Sequence, residues 1–183
     1  MRVGSGDNTY EWIDNWAQVP DTESAREGWA HHAMVITEAD TIIGFHQGNP
    51  TFLVFDKDGN LQHTWDVDLT EAHGITLVKE DDVEYLWVAD CADKPSKNNG
   101  YTFRSGVFSG RVVKMNLTGQ IVMELERPDL AIYCNNSYSP TWVAVNEERY
   151  GGNGDIWVAD GYGQSQVPRY NKSGDYISSI SGI

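Results

Sequence analysis

Apolar residues in this chain come in short runs with rough two-residue alternation, broken repeatedly by Gly, Asn, Asp and Ser. Val, Ile, Trp and Tyr are concentrated in the runs, which favours half-buried strands over helices. No long stretch carries the 3.6-residue period of an amphipathic helix. The runs fall into three segments with one order of features, the mark of a repeat architecture. The first goes from His32-Ala-Met-Val-Ile through Ile43-Gly-Phe-His to Phe52-Leu-Val-Phe-Asp-Lys-Asp-Gly-Asn-Leu and on to Trp65. The second goes from His73-Gly-Ile-Thr-Leu-Val through Leu86-Trp-Val-Ala-Asp to Arg111-Val-Val-Lys-Met-Asn-Leu-Thr-Gly-Gln-Ile. The third goes from Ser139-Pro-Thr-Trp-Val-Ala-Val through Asp155-Ile-Trp-Val-Ala-Asp to Gln166-Val-Pro-Arg-Tyr-Asn-Lys-Ser-Gly-Asp-Tyr-Ile.

Each segment reads as four short strands. Between the third and fourth, an Asx residue precedes a glycine by three positions: Asp56–Gly59, Asn116–Gly119 and Asn171–Gly174. That spacing suits hairpin turns whose last residue takes positive φ. The expectation is an all-β protein, a β-propeller of three four-stranded antiparallel blades and thus half of a six-bladed ring. The blades cover about 29–66, 72–126 and 138–183, after an N-terminal arm over 1–28. The arm, acidic and Trp-containing, is expected to be an edge strand or a packing arm. Three blades do not close a ring, so the chain is expected to be a piece of a longer propeller or one of two copies that pair. Long polar connections at Cys91–Gly110 and Arg127–Tyr138 are expected to line one face of the disc, where ligand sites form. Trp87 and Trp157 recur at one repeat position and are expected in the core between blades.

Charge narrows the partners. The 183 residues carry a net charge of −14, which repels phosphate backbones and argues against nucleic acid. No stretch approaches the ~20 apolar residues that span a bilayer, so no membrane span is expected. The opening MRVGSGDNTYEW has no apolar signal core. Cys91 and Cys134 are too few for a disulfide scaffold and are either bridged or free thiols. The glycosylation-type triplets at Asn116, Asn135 and Asn171 read as turn chemistry.

Four blocks in order resemble the peptidyl-α-hydroxyglycine amidating lyases, whose fold is a six-bladed propeller of the NHL-repeat kind. They are Gly44-Phe-His-Gln-Gly48 with Val54-Phe-Asp-Lys-Asp-Gly59, Glu71-Ala-His-Gly-Ile75, Ser139-Pro-Thr-Trp-Val-Ala-Val145, and Val158-Ala-Asp-Gly-Tyr-Gly-Gln-Ser-Gln-Val167. The resemblance implies cleavage of a peptidyl-α-hydroxyglycine into an amidated peptide and glyoxylate, at a central zinc held by three histidines. It also implies a structural calcium, and a secreted or lumenal location. His73 matches the zinc-ligating histidine of the His-Gly block, and Tyr162 the tyrosine tied to proton transfer or oxyanion chemistry. Gln47 stands where the family has an arginine, keeping hydrogen bonds but losing the charge that would hold a carboxylate. The other two zinc histidines of the family fall beyond residue 183, and Gly163 replaces a disulfide cysteine.

The candidate site is therefore His73 as metal ligand with Tyr162 and Gln47 as catalytic or substrate-facing groups. Competing structural roles are a strand-capping His73 and a Tyr162 packed on the disc face. His46, His31 and His32 are weaker candidates. Asp90 and Asp160 close equivalent strands, where Asx-type bonds to the turn backbone account for them. Three functions follow: a zinc-dependent lyase acting on a peptide or small hydroxylated substrate; a non-catalytic propeller module that binds peptide, protein or small ligand; or a homodimer that closes the ring and presents His73 and Tyr162 twice.

Overall fold

The computed structural model describes residues 1–22, 26, 32–46, 51–93, 102 and 105–182. Gln47 and His31 lie outside the described residues. A short hairpin opens the chain, with β1 (Arg2–Ser5) antiparallel to β2 (Asn8–Glu11). Three four-stranded antiparallel sheets follow, each made of four consecutive strands. Sheet 1 holds β3 (Met34–Ile36), β4 (Ile42–His46), β5 (Thr51–Phe55) and β6 (Leu61–Asp66). Sheet 2 holds β7 (Ala72–Glu80), β8 (Val83–Asp90), β9 (Arg111–Asn116) and β10 (Ile121–Leu125). Sheet 3 holds β11 (Trp142–Val145), β12 (Ile156–Ala159), β13 (Gln166–Tyr170) and β14 (Tyr176–Ser181). Consecutive up-and-down sheets packed face to face are the blades of a β-propeller.

Period-two alternation decides which side chains meet between blades. Ile43, Phe45, Phe52 and Val54 of sheet 1 pack on Ile75, Leu86, Val88, Val113 and Met115 of sheet 2. The other face of sheet 2, with Val78, Trp87, Ala89 and Val112, packs on Val143, Ile156, Val158 and Tyr170 of sheet 3. Trp87 is 1% exposed there, as its repeat position required. Trp157 is not in that core. It alternates onto the opposite face of sheet 3, half-buried, with the Arg169 guanidinium 5.2 Å above its ring. Among the described residues no further sheet covers that face, which leaves Trp142 and Ile180 exposed beside it.

The three hairpin turns repeat bond for bond. In each, the glycine N–H donates to the Asx carbonyl: Gly59 to Asp56 at 3.0 Å, Gly119 to Asn116 at 3.1 Å and Gly174 to Asn171 at 2.9 Å. The glycines take φ of 84°, 86° and 88°, where a Cβ is disfavoured. Each Asx side-chain oxygen accepts two backbone N–H groups, for example from Thr118 at 3.1 Å and Gln120 at 2.9 Å onto Asn116. Each turn also seats on what precedes it: Gly119 on the Trp65 indole, Gly174 on Leu125 and Met123, and Gly59 on Trp16. The N-terminal arm thus fills, for sheet 1, the place that a preceding blade fills for sheets 2 and 3. Trp16 and Ala17 cover Ile42, Leu53 and Phe55, and Trp16 Nε1 donates to the Lys57 carbonyl at 3.2 Å. Cys91 is buried and Cys134 exposed, both as free thiols.

Candidate functional site

The first strands of sheets 2 and 3, β7 and β11, run side by side and are laced together. Thr76 Oγ1 donates to the Val143 carbonyl at 2.5 Å, and the Lys79 amide donates to Glu147 Oε2 at 3.1 Å. At the other end of this seam the backbones approach closely: a Cβ on Gly74 would fall onto the Thr141 carbonyl oxygen and lie 2.9 Å from Trp142 Cα. Only glycine permits that contact.

His73 stands at this point of closest approach. The β7–β8 register shifts between Ala72 and Gly74, so His73 is the extra residue of a β-bulge. Its amide donates to the Glu71 carbonyl at 2.9 Å, and its carbonyl accepts the Ala33 amide of the sheet 1 side at 3.3 Å. The bulge turns the imidazole toward sheet 3. There Nδ1 lies 3.1 Å from the Thr141 carbonyl oxygen and Nε2 lies 3.0 Å from the Tyr162 hydroxyl. A carbonyl can only accept, so Nδ1 carries the proton. In the neutral imidazole Nε2 then offers a lone pair, and the Tyr162 hydroxyl donates to it. The two rings meet edge to face, with centroids 5.1 Å apart and planes at 89°.

Tyr162 comes from the turn after β12, and Asp160 builds that turn. Its carboxylate accepts the Ser139 amide and the Gln164 amide, both at 2.6 Å, and the Tyr133 hydroxyl at 2.9 Å. A Cβ on Gly163 would collide with this carboxylate, so glycine stands there for a local steric reason. The Tyr162 amide donates to the Ser139 carbonyl at 3.3 Å. Asp90 plays the matching part in sheet 2, accepting amides of Thr70 at 2.8 Å, Glu71 at 2.9 Å and Ala92 at 3.0 Å. Asx bonding to backbone accounts for both aspartates.

Tyr162 is 52% exposed, so its ring is presented to solvent while its hydroxyl is held inward by His73. Burial of part of the side chain, then the nearby Cys91 and Glu71, push its pKa above the ordinary phenol value. The phenol therefore stays protonated at neutral pH. Cys91 is pushed up to about 12, by burial first and then by Glu71, so it is a thiol and not a thiolate. Glu71, 1% exposed, brings a buried carboxyl group to the same end of sheet 2. Nothing in the residue pattern flags Glu71 or Cys91 as neighbours of the pair. Both follow from the chain folding back at the bulge.

The other candidates go elsewhere. The His46 ring is buried with Nε2 3.0 Å from Thr22 Oγ1, and the His32 ring packs edge-on against Phe45 with centroids 5.1 Å apart. At the opposite end of sheets 2 and 3, a cleft of about 850 Å³ is lined by Glu80, Asp81, Asp82, Glu147 and Lys172 among others. Lys79 pairs there with Glu38 at 2.8 Å and Lys172 with Glu148 at 3.0 Å.

Among the described residues, no three His, Cys, Asp or Glu side chains converge to hold a metal ion. The donor set around His73 is one imidazole nitrogen turned toward a phenol, which does not make a zinc site by itself. No described helix is long and apolar enough to cross a membrane.

No family model matches the chain, and no curated protein matches it. Two of the solved structures similar to the chain are these. One is a protein of unknown function from Bacteroides caccae, 12% identical, covering 85% of this chain and 47% of that one, with a TM-score of 0.51. The other is a streptogramin B lyase, 14% identical, covering 82% of this chain and 54% of that one, with a TM-score of 0.41. The chain spans about half the length of each of these structures.

Proposed function

We propose that this chain carries a His–Tyr proton-transfer pair of a lyase-like propeller enzyme, acting on a hydroxylated substrate of the peptidyl-α-hydroxyglycine type. The observation that supports it is the 3.0 Å bond from the Tyr162 hydroxyl to His73 Nε2, with Nδ1 occupied by the Thr141 carbonyl. A protonated phenol that donates to a neutral imidazole can relay a proton. The substrate hydroxyl gives its proton to the Tyr162 oxygen as the phenolic proton moves to His73 Nε2. The carbon–oxygen double bond forms, the carbon–nitrogen bond breaks, and the departing amide nitrogen takes a proton back through the same pair. The products are a primary amide and an aldehyde, with no net gain or loss of protons. Gln47, where the resemblance has an arginine, would contribute hydrogen bonds rather than a charge to the substrate. A zinc ion held by His73 Nε2 would replace this relay rather than join it, because that lone pair is the proton acceptor, and its other ligands would have to come from outside the described residues.

The test is glyoxylate release from a peptidyl-α-hydroxyglycine, with and without added zinc, by the chain and by Tyr162→Phe. Loss of a general acid–base group is expected to cost roughly 10²–10⁴-fold in turnover. Equal turnover in the phenylalanine variant would remove Tyr162 from the chemistry. A second reading, a non-catalytic module for peptide, protein or small ligand, is favoured by one fact: both imidazole nitrogens are satisfied within the protein. Saturable peptide binding with no glyoxylate release would select it. The exposed Trp142 and Ile180 face of sheet 3 supports covering by a further blade or a second copy. The mass in solution distinguishes these, because only the second copy doubles it.

A further inference from the structure

We infer that Thr141 is the positioning residue of the His73–Tyr162 pair, seated in the spaces left by the missing side chains of Gly74 and Gly161. This rests on the proton-transfer reading above and adds the device that holds the pair in its working tautomer. His73 is a bulge residue, so the strand ladder does not fix its ring. The ring is fixed by what each nitrogen meets. The Thr141 carbonyl forces the proton onto Nδ1 and leaves Nε2 as the acceptor for Tyr162. With the proton on Nε2 instead, the Nδ1 lone pair would face the Thr141 carbonyl oxygen, acceptor against acceptor, and Tyr162 would accept from Nε2 and have no base to receive its proton.

Thr141 is in turn tied to the strand that delivers Tyr162. Its amide donates to the Ala159 carbonyl at 2.8 Å, and its hydroxyl donates to the same oxygen at 3.3 Å. The absent Cβ of Gly161, next to Tyr162, makes room for the Thr141 side chain: a Cβ there would lie 2.5 Å from Oγ1 and 3.2 Å from Cγ2. The absent Cβ of Gly74, next to His73, makes room for the Thr141 carbonyl. One residue therefore references both members of the pair, one through its main chain and the other through its side chain. Gly74, after His73, and Gly161, before Tyr162, are each flanked in space by Thr141.

The test reads the imidazole directly, through nitrogen–proton correlation spectra of the folded chain, where five histidines must be resolved. The wild type is expected to show His73 as one tautomer with the proton on Nδ1. Gly161→Ala pushes Thr141 away and is expected to give mixed tautomers and at least a tenfold loss of kcat with little change in KM. The double variant Gly161→Ala with Thr141→Ala keeps the carbonyl but removes the collision, and is expected to restore the single tautomer. An unchanged His73 tautomer in folded Gly161→Ala overturns the inference. So does a double variant that folds with mixed tautomers, or one that does not fold at all. The nitrogen signals need no substrate. Absence of turnover in the wild type would therefore sink the lyase reading and leave the role of Thr141 standing or falling on the spectra.

Discussion

Replacing Gly119 by alanine probes how one blade seats on the next. Two costs are combined at this position. Its φ is 86°, and a left-handed backbone costs an L-residue about 1–2 kcal/mol. A Cβ would also press into the Trp65 indole, within 2.8 Å of Cγ and 2.9 Å of Nε1. Forcing an extra carbon into a packed site costs about 1–3 kcal/mol. Gly151 separates the two terms, because its φ is 84° but nothing lies within 4 Å of its Cβ position. Gly151→Ala is thus expected to lose only the backbone term, and Gly119→Ala about 1–3 kcal/mol more. Urea unfolding followed by far-ultraviolet circular dichroism gives both, compared through the midpoint at constant slope. Trp65→Leu should then abolish the excess, because the smaller side chain leaves room, and the double-mutant cycle should return it as a coupling energy. If Gly119→Ala costs no more than Gly151→Ala, or the excess survives in the Trp65→Leu background, the turn does not seat on Trp65.

Three more outcomes are expected. An alkylating reagent at pH 8 should label the exposed Cys134 quickly, and Cys91, held as a thiol by burial and Glu71, only after unfolding; two fast equivalents would contradict this. Asp160→Ala strands two backbone amides and the Tyr133 hydroxyl, and at about 1–3 kcal/mol per unsatisfied group it should lower the melting temperature and loosen the Tyr162 turn, read as faster amide exchange over 161–165. The Arg169 guanidinium holds the Asp155 pKa below the ordinary carboxylate range, so this pair stabilises the fold above that range and the contribution is lost as pH falls through the lowered value; Asp155→Asn should flatten the acid limb of the stability curve, and an unchanged limb would refute the pairing.

The blade repeat was legible because its determinants are local. Asx and glycine three apart specify a turn whose bonds all fall within five residues, as Asn116 to Gln120 illustrates. Alternation along β8 was sufficient to place Trp87 on one face and Leu86 and Val88 on the other. Trp157 shares the repeat position of Trp87 but not its burial, because burial belongs to the neighbouring sheet and not to the strand. The N-terminal arm was only half legible. Its acidic, Trp-containing composition suggested an edge strand or a packing arm; residues 2–11 form a hairpin of their own and no blade's edge strand, while Trp16 packs as a cover.

The candidate site was named by resemblance and not by pattern. His73 and Tyr162 lie 89 positions apart, and no periodicity connects them. What joins them has no side-chain signature. The bulge at His73 is an offset between two strands, visible only once Ala72 pairs with Asp90 and Gly74 with Ala89. The group that sets the imidazole tautomer is a main-chain carbonyl, which every residue possesses, and the contact exists because Gly74 and Gly161 lack a Cβ. In the sequence those two glycines look like ordinary punctuation, one in a strand and one in a turn. Their shared neighbour gives them a common purpose. A glycine inside a strand marks a close approach of another backbone, and here the approaching backbone is the one that orients the histidine. The legible part of the candidate site is thus its two side chains, and the illegible part is the geometry that sets the Tyr162 hydroxyl on His73 Nε2.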